Sequence, residues 1–151
     1  MDADLEAIVR ELRDREEIAR LPQLYARGVD RRDWDLVRSC FTADAVAFGA
    51  WSGPIDEYLP NVRTWIDAYP VGATTHLTGN QLIELDGDVA HLETYLLTVQ
   101  WHTEGPSHSE PPGAVSGVRY QDEVVRTTEG WKITRRQVDL DWTKGWAPPA
   151  S

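Results

Sequence analysis

A histidine lies near the start of a stretch whose residues favour a β-strand. His76 belongs to TTHLTGNQLIEL, residues 74–85, which is rich in Thr and Ile and leads into an Asp-Gly turn. This pattern predicts a strand that feeds a hairpin. Strand alternation then places four side chains on one face: His76, Thr78, Asn80 and Leu82. The imidazole would face small or polar groups, so it could serve as a base, although a core or surface histidine satisfied by a neighbour fits the same pattern.

An aspartate supplies the second group that could take part in proton transfer. Asp30 opens the charged sequence Asp30-Arg31-Arg32-Asp33, which follows a long helical pattern. A carboxylate at a helix end is commonly solvated or used for capping. Considered alone, Asp30 therefore fits an acid–base role or an ordinary helix-end role.

The other reactive side chains give little sign of a metal or a cofactor. His102 and His108 flank a Pro-rich segment that contains Glu104, but no third ligand recurs at regular spacing. Ser116 lies in GAVSG, which lacks the Gly-x-Ser-x-Gly order of a serine nucleophile. The sequence contains neither a glycine-rich phosphate loop nor a dinucleotide fingerprint. We therefore expect no metal and no cofactor, and we treat His102 as a candidate pocket-wall residue.

The composition limits the partners and the location of the protein. With 15 Lys and Arg against 25 Asp and Glu, the formal net charge is −10, which disfavours nucleic acid and anionic membranes. The 151 residues, 41% of them hydrophobic, suffice for one domain over 1–151. Cys40 is the single cysteine, and no apolar run approaches the ~20 residues of a membrane span or resembles a signal peptide. These features predict a reduced, cytoplasmic protein.

Helical periodicity dominates the first part of the chain. Apolar spacing predicts a long first helix, which Pro22 should kink or break and Gly28 should end. Asp33 is placed to cap a short second helix, whose apolar spacing runs from Trp34 to Phe41.

The rest of the chain alternates as strands do, after one more helix. A short strand over 45–50 precedes a third helix that opens near residue 52. Beyond the His76 strand we predict a long curved strand over 89–103, a loop over 104–113, a second hairpin from 115–126 and 131–142, and an irregular tail from about 143. Helices first and antiparallel strands afterwards define an α+β fold.

Aromatic residues with a polar atom are abundant. Seven Trp and five Tyr stand against only two Phe. Three tryptophans lie at core-facing spacing and are expected to pack: Trp34, Trp65 and Trp131. As candidate substrate-binding residues we take Trp51, Tyr58, Asn80, Trp101, His102 and Tyr120.

Three segments together resemble a known family. They are LYARGVDRRDWDLVRSCFTADAV, THLTGNQLIELDGDVAHLETYLL and GVRYQDEVVRTTEGWKITRRQVDLDW. In combination they resemble SnoaL-like proteins of the NTF2-like superfamily over about 17–142. The resemblance implies a cone-shaped α+β barrel, in which a curved, mostly antiparallel sheet and N-terminal helices enclose a cavity. It also implies that the cavity takes small apolar molecules.

Lyases of that superfamily, such as scytalone dehydratase, bile-acid 7α-dehydratase and hexachlorocyclohexane dehydrochlorinase, are similar at the candidate site. Asp30 in GVDRRD matches the aspartate of their Asp and His pair, and His76 in TTHLTGN matches the histidine. Tyr25 fits the tyrosine of the bile-acid enzyme. Arg136 fits the arginine found there and in the dehydrochlorinase.

These four residue types suit proton abstraction from carbon. An imidazole with an ordinary pKa of ~6.5 is largely neutral at pH 7, and an aspartate against its other ring nitrogen would fix the tautomer. A phenol at Tyr25 or a cation at Arg136 would stabilise negative charge on a leaving group or an enolate. Arg136 could equally form a salt bridge to Asp122 or Glu123 across the hairpin.

Two classes of function follow. The first is a cofactor-independent lyase or isomerase acting on a small apolar, polycyclic or polyketide-like molecule, with dehydration placed first and cyclisation needing the same base. The second is a non-catalytic binding or assembly module, which the same fold also provides and which needs no Asp and His pair. We expect a homo-oligomer in either case, a trimer before a dimer, and no nucleic acid or membrane partner.

Overall fold

A computed structural model describes residues 3–101 and 113–145 of the chain. Within them, helices and strands follow in the order α1 (Ala3–Arg31), α2 (Trp34–Ser39), β1 (Phe41–Phe48), β2 (Ser52–Pro54), α3 (Ile55–Asp67), β3 (Thr74–Asp86), β4 (Val89–Trp101), β5 (Gly113–Thr127) and β6 (Gly130–Gly145). The strands form one curved sheet in the order β2-β1-β6-β5-β4-β3, antiparallel except between β1 and β6. The predicted α+β fold is confirmed. None of the described helices is long and apolar enough to cross a membrane.

The first helix continues through Pro22, where the sequence predicted a kink or a break. A proline inside a helix costs about 3 kcal/mol, whereas each fully buried large aliphatic side chain contributes about 1.5–3 kcal/mol. Ile18, Leu21 and Val29 of α1 are no more than 5% exposed. Burial of this stripe therefore outweighs the hydrogen bond that Pro22 removes, and the prediction of a break is wrong.

The helix also passes Gly28, which the sequence predicted as its end. A Cβ at Gly28 would lie 2.7 Å from Cγ2 of Val37, so the glycine allows α1 and α2 to pack closely. The helix ends instead at Arg31, and Arg32 takes a left-handed conformation with φ of 60°. The N–H of Asp33 donates to the Gly28 carbonyl at 2.8 Å, which closes a Schellman-type C-terminus.

The second helix is capped as predicted but is shorter. Oδ1 of Asp33 accepts the N–H of Leu36 at 3.0 Å. The helix ends at Ser39, and Phe41 already pairs with Ile133 in the parallel ladder between β1 and β6. The backbone around Phe41 therefore pairs within the sheet and is not available for a longer helix.

Other boundaries shift by a few residues. The first strand covers Phe41–Phe48 rather than 45–50, and β6 continues to Gly145, so that 143–145 belong to a strand and not to an irregular tail. The second hairpin forms as predicted from β5 and β6. The predicted loop at 104–113 lies outside the described residues, apart from Gly113 at the start of β5.

A bulge in β3 changes which of its side chains face inward. Two residues, Gly79 and Asn80, oppose the single Tyr95 of β4. Alternation reverses at this point, so Leu82 is 63% exposed and Asn80 is also exposed. Gln81 turns inward instead and donates to a main-chain carbonyl of α1 at 2.9 Å. The predicted face that included Asn80 and Leu82 is therefore wrong beyond the bulge.

The core lies between the helices and the inner face of the sheet. Its fully buried aliphatic members come from both layers: Ile18, Val29, Val37, Ile55, Leu92, Val124 and Ile133. Trp131 is buried, and Trp34 and Trp65 are partly buried against the core, as the sequence predicted.

An ion-pair cluster ties α1 to the second hairpin. Arg126 of β5 donates to both carboxylate oxygens of Asp14 at 2.6 and 2.7 Å, and its guanidinium carbon lies 4.6 Å from the centre of the Trp131 ring. The indole N–H of Trp131 also donates to Asp14 at 3.1 Å. The hydrogen bond from Arg126 is the main reason that the pKa of Asp14 falls to about 2, although burial opposes it. The cluster fixes α1 against the sheet that carries the site.

Candidate active site

The carboxylate of Asp30 binds two N–H groups of one histidine residue. Its Oδ1 lies 2.7 Å from Nδ1 of His76, and its Oδ2 accepts the main-chain N–H of His76 at 2.8 Å. The last turn of α1 supplies the aspartate, and the third residue of β3 supplies the histidine. The two predicted residues, 46 positions apart in sequence, are thus brought into hydrogen-bond contact.

This geometry determines which ring nitrogen can act as a base. A carboxylate only accepts hydrogen bonds, so Nδ1 of His76 must carry the proton that it shares with Asp30. In the neutral imidazole, Nε2 then holds a free lone pair. The His76 side chain is 8% exposed and that of Asp30 is 18% exposed. The pair is therefore largely withdrawn from solvent while some access remains.

Three aromatic rings surround the guanidinium of one buried arginine, Arg136. The guanidinium carbon of Arg136 lies 4.4 Å from the ring centre of Tyr25, 4.0 Å from that of Tyr120 and 5.4 Å from that of Phe41. The rings of Tyr25 and Tyr120 meet edge to face at 5.7 Å. Burial is the main reason that the pKa of Tyr120 is raised, and the negative charge of Asp30 makes a smaller contribution in the same direction. Tyr120 therefore lies close enough to Asp30 for the charge of the carboxylate to act on its hydroxyl.

Arg136 forms the salt bridge that the sequence left open, and its partner is Asp122. Nε and Nη2 of Arg136 each donate to one oxygen of Asp122 at 2.7 Å, and both side chains are 0% exposed. Burial works to lower the pKa of Arg136, but Asp122 more than offsets it, and the pKa is raised. Nη1 is buried and makes no hydrogen bond to any described residue. The two N–H groups of Nη1 thus remain for a further partner, although a hydrogen-bond interaction with Arg136 already lowers the pKa of the Tyr25 hydroxyl.

Three phenols beside the arginine stay protonated. Burial raises the pKa of Tyr25 well above its usual range, and it also raises the pKa values of Tyr58 and Tyr120, while Arg136 acts in the opposite direction on all three. Each therefore offers an O–H donor at neutral pH. Trp51 packs edge to face on Tyr58 at 6.4 Å between ring centres and extends the aromatic wall.

A family comparison identifies the domain to which these residues belong. The family model described as a SnoaL-like domain matches residues 10–137, most of the chain. The chain belongs to the SnoaL-like family. An uncharacterized protein of Mycobacterium tuberculosis strain H37Rv, Rv2910c, is 31% identical over 132 residues, which are 85% of this chain and 86% of that protein.

Solved structures share the fold of this SnoaL-like chain. The Kfla4162 protein of Kribbella flavida is 21% identical with a TM-score of 0.78, covering 89% of this chain and 95% of that one. A scytalone dehydratase-like protein of Novosphingobium aromaticivorans is 20% identical with a TM-score of 0.76, covering 97% and 95%. A hexachlorocyclohexane dehydrochlorinase, LinA type 2, is 20% identical with a TM-score of 0.77, covering 95% and 99%. These likenesses show the fold, which is shared by an NTF2-like protein of Novosphingobium aromaticivorans that is 23% identical with a TM-score of 0.73, covering 93% of this chain and 90% of that one.

Not every predicted site residue of the SnoaL-like chain lies in this cluster. Asp30 and His76 form the hydrogen-bonded pair, and five others lie around the arginine: Tyr25, Trp51, Tyr58, Tyr120 and Arg136. Asn80 is exposed because of the bulge, and Trp101 is 49% exposed on the outer face of the sheet, so neither lines the interior. The structure therefore does not bring either residue to the buried rings, and their substrate-binding role stays a prediction. His102 lies outside the described residues.

Depressions in the described surface of the SnoaL-like chain lie away from His76. One of about 590 Å³ is near the β3–β4 turn and includes Ile83, Val89 and His91. Another, of about 290 Å³, lies on the outer face between Trp101 and Trp142. Among 3–101 and 113–145, no three His, Cys, Asp or Glu side chains converge as metal ligands would.

Sequence reasoning missed two polar residues of this region. Thr94 is 0% exposed on the inner face of β4, and its hydroxyl makes no hydrogen bond to the residues described. Arg32 contacts the helix and the strand that carry Asp30 and His76. Strand alternation could have placed Thr94 inward, but no spacing rule indicates the contacts of Arg32, because they join distant segments.

Proposed function

We propose that the chain is a cofactor-independent lyase or isomerase, and that dehydration of a small apolar molecule is its reaction. The observation that carries the proposal is the hydrogen bond of 2.7 Å between Asp30 and Nδ1 of His76, because it leaves Nε2 as the basic nitrogen. The family assignment and the fold shared with a dehydrochlorinase and a scytalone dehydratase-like protein support a lyase of this general kind.

The first step is removal of a proton from carbon. Nε2 of His76 takes the proton, and the electrons of the C–H bond become an enolate or the new C=C bond. The imidazolium that results is stabilised by Asp30, whose carboxylate already holds Nδ1–H. In an isomerisation, the same proton returns to another carbon of the substrate.

The second step is departure of the leaving group. As the C–O bond breaks, its electron pair goes to oxygen, which receives a proton and leaves as water. The Tyr25 O–H is a donor whose raised pKa keeps it protonated, and the free Nη1 donor of Arg136 stabilises negative charge in a buried setting. The proton that Nε2 took from carbon then returns to the Tyr25 oxygen or goes directly to the leaving oxygen. Each turnover therefore releases one water and leaves His76 neutral.

The site supports an enzyme more than a passive binding module. A scaffold has no need for a carboxylate that takes both N–H groups of one histidine, nor for a buried arginine with an unused donor, since unsatisfied buried donors cost free energy. The ring wall of Trp51, Tyr58 and Tyr120 suits an apolar, ring-bearing substrate.

The proposed setting of the enzyme is a reducing one. Cys40 is the single cysteine of the sequence, and burial raises its pKa to about 11, so it suits the cytoplasm rather than a disulfide-forming compartment. We further propose one SnoaL-like domain that assembles as a homo-oligomer, a trimer or a dimer, with a small molecule as its other partner.

A substrate screen tests the activity. The purified chain is incubated with hydroxylated and carbonyl-bearing polycycles, and loss of one water is followed by mass spectrometry. The proposal expects turnover by the wild-type chain that is absent in His76→Ala and retained in His91→Ala, because His91 is exposed on β4, outside the site. Equal turnover by the two histidine variants would remove His76 from the reaction.

A further inference from the structure

Arg32 has an unusual backbone for a residue with a side chain. It is the one non-glycine residue with positive φ in the described chain, and it directly follows the last residue of α1. Its N–H donates to the Val29 carbonyl at 3.2 Å, which places it at the position of a Schellman motif that glycine usually fills. A left-handed conformation is unfavourable for a residue with a Cβ, because the Cβ approaches the following carbonyl oxygen. The side chain therefore has to contribute something that glycine lacks.

The guanidinium of Arg32 donates to three separate elements. Nη1 donates to the carbonyls of Val29 and Asp30 at 3.0 and 3.4 Å, and to Oγ1 of Thr74 at 3.0 Å. Nη2 donates to the carbonyls of Ile66 and Tyr69 at 2.9 and 3.0 Å. Nε forms an ion pair with Asp67 at 3.3 Å. The side chain is only 12% exposed. One planar group thus joins the end of α1, the end of α3 and the start of β3.

Two of these contacts bear on the catalytic pair. Asp30 is two residues before Arg32, and its own carbonyl is one of the acceptors. Thr74 is two residues before His76, so their side chains lie on the same face of β3. The segments that present the carboxylate and the imidazole are therefore linked through Arg32 as well as through their own hydrogen bonds.

Charge adds to this link. The Val29 carbonyl in the last turn of α1 and the Ile66 carbonyl in the last turn of α3 belong to the negative ends of two helix dipoles, and both accept from the same guanidinium. Without the guanidinium, these two carbonyls would lose a charged donor that they share. A lysine could supply the charge, but it lacks the planar fork that reaches three elements at once.

We propose that Arg32 is the positioning residue of the site: it holds α1 and β3 in the register that keeps Asp30 on Nδ1 of His76, and so keeps Nε2 unprotonated and aimed at the substrate. The kinetic part of this inference rests on the proposed function. The structural part does not, because the tautomer of His76 can be read without any substrate.

Long-range ¹H–¹⁵N NMR of the histidine side chains, on the full chain, tests the structural part. The His76 signals are assigned by their loss in His76→Gln. Arg32→Gly removes the guanidinium but keeps a residue that adopts positive φ readily, so the helix end is retained. Arg32→Lys keeps the charge alone. The matched control is Arg38→Gly, because Arg38 also donates to main-chain carbonyls and to a carboxylate, at Thr42 and Asp56, away from His76.

The expected result is a single Nδ1–H tautomer of His76 in the wild-type chain and in Arg38→Gly, and a mixture of tautomers in both Arg32 variants. Circular dichroism checks that each variant is folded, and Arg32→Lys is the variant to read if Arg32→Gly does not fold. A single Nδ1–H tautomer in a folded Arg32 variant would overturn the proposal.

Kinetics distinguish the positioning role of Arg32 from the proposed function. With a substrate from the screen, Arg32→Gly and Arg32→Lys are expected to lose on the order of 10²-fold in kcat with KM changed by less than about threefold, as misplaced catalytic groups do. The Arg38 control is expected to keep kcat. An unchanged kcat in the Arg32 variants would contradict the inference. A chain that turns over nothing, yet loses the His76 tautomer when Arg32 is replaced, would instead overturn the proposed function and leave the positioning role supported.

Discussion

The Asp30 carboxylate fixes His76 by two hydrogen bonds at once, one to the ring and one to the main chain. Rotation of the imidazole would break the first bond, and movement of β3 would break the second. The two side chains therefore act as one unit. Residues that act as a unit give non-additive losses when they are removed.

This coupling predicts the outcome of a double-mutant cycle. His76→Ala and Asp30→Ala are each expected to lower kcat on the order of 10³-fold or more, with the double variant scarcely worse than His76→Ala. Far-UV circular dichroism should show that all three variants keep the fold. Losses that multiply in the double variant would mean that the two residues act independently.

The hydroxyl of Tyr25 is the next group whose role can be isolated. Tyr25→Phe keeps the ring that packs on Arg136 but removes the donor. A preorganised donor to a leaving group contributes on the order of 10²-fold in kcat, so that loss is expected with KM little changed. The comparison uses one substrate with a poor leaving group and one with a good leaving group, and the larger loss should fall on the poor one. Equal losses would transfer leaving-group assistance to Nη1 of Arg136.

The contact between α1 and the second hairpin depends on one partly buried ion pair. The side chain of Asp14 is 8% exposed and that of Arg126 is 34% exposed. Asp14→Asn is expected to lower the free energy of unfolding by about 1–3 kcal/mol, between the values of exposed and buried ion pairs. The matched control is Glu17→Gln, which removes the solvent-facing partner of Arg13 and should change stability by less than about 0.5 kcal/mol. Urea unfolding measures both.

The same pair gives stability a defined pH dependence. The pKa of Asp14 is lowered from 3.8 to about 2 in the folded chain. A lowered carboxyl pKa stabilises the fold above the unfolded value, and this contribution is lost as the pH falls from about 4 through about 2. Asp14→Asn should therefore reduce the loss of stability across that window. A wild-type curve and a variant curve of the same slope between these pH values would contradict the assignment.

Element types could be predicted from the sequence because periodicity and turn residues are local properties. The hairpin at Asp86-Gly87-Asp88 and the cap at Asp33 both form as predicted. Pro22 and Gly28 misled the prediction, since burial of the α1 stripe and close packing on Val37 are tertiary effects that outweigh local preference. The β3 bulge misled it as well, because its signal is only a glycine within the strand.

The site could be predicted in part. The family resemblance indicated Asp30 and His76 as a candidate pair. The structure brings the two side chains into hydrogen-bond contact. The geometry that assigns the base, with Nδ1 bound and Nε2 free, depends on where α1 ends relative to β3. That in turn depends on Arg32, whose acceptors come from α1, α3 and β3 and have no common spacing in the sequence.

The outer face of the sheet carries apolar side chains that a soluble monomer rarely exposes together. Leu77, Leu97 and Trp142 lie in one cross-strand row, and Trp101 and Val115 lie next to it; these five side chains are 37–61% exposed. A Cβ at Gly117 would lie 2.3 Å from Nε1 of Trp142, so the glycine lets the indole lie flat on the sheet. This outer apolar face is the surface through which we propose that copies of the chain associate.

Introduction of a negative charge on the outer apolar face tests that assembly. If copies associate through this face as proposed, Leu97→Glu and Trp142→Glu are expected to give a smaller species than the wild-type chain in size-exclusion chromatography with light scattering, because a buried unpaired carboxylate opposes association. The control is Leu12→Glu, on the exposed apolar stripe of α1, where Leu12 is 61% exposed. Dissociation by the Leu12 variant alone would place the interface on α1 instead.

Solvent deuterium exchange measures the removal of a proton from carbon by Nε2 of His76 without any elimination. A carbonyl analogue of the substrate, with hydrogen in place of the leaving hydroxyl, is incubated with the chain in D₂O, and deuterium at the acidic carbon is followed by NMR. Rapid deuterium incorporation is expected with the wild-type chain and with His91→Ala, whereas His76→Ala should give only the uncatalysed rate. Incorporation by His76→Ala at the wild-type rate would contradict the role of His76 as the base.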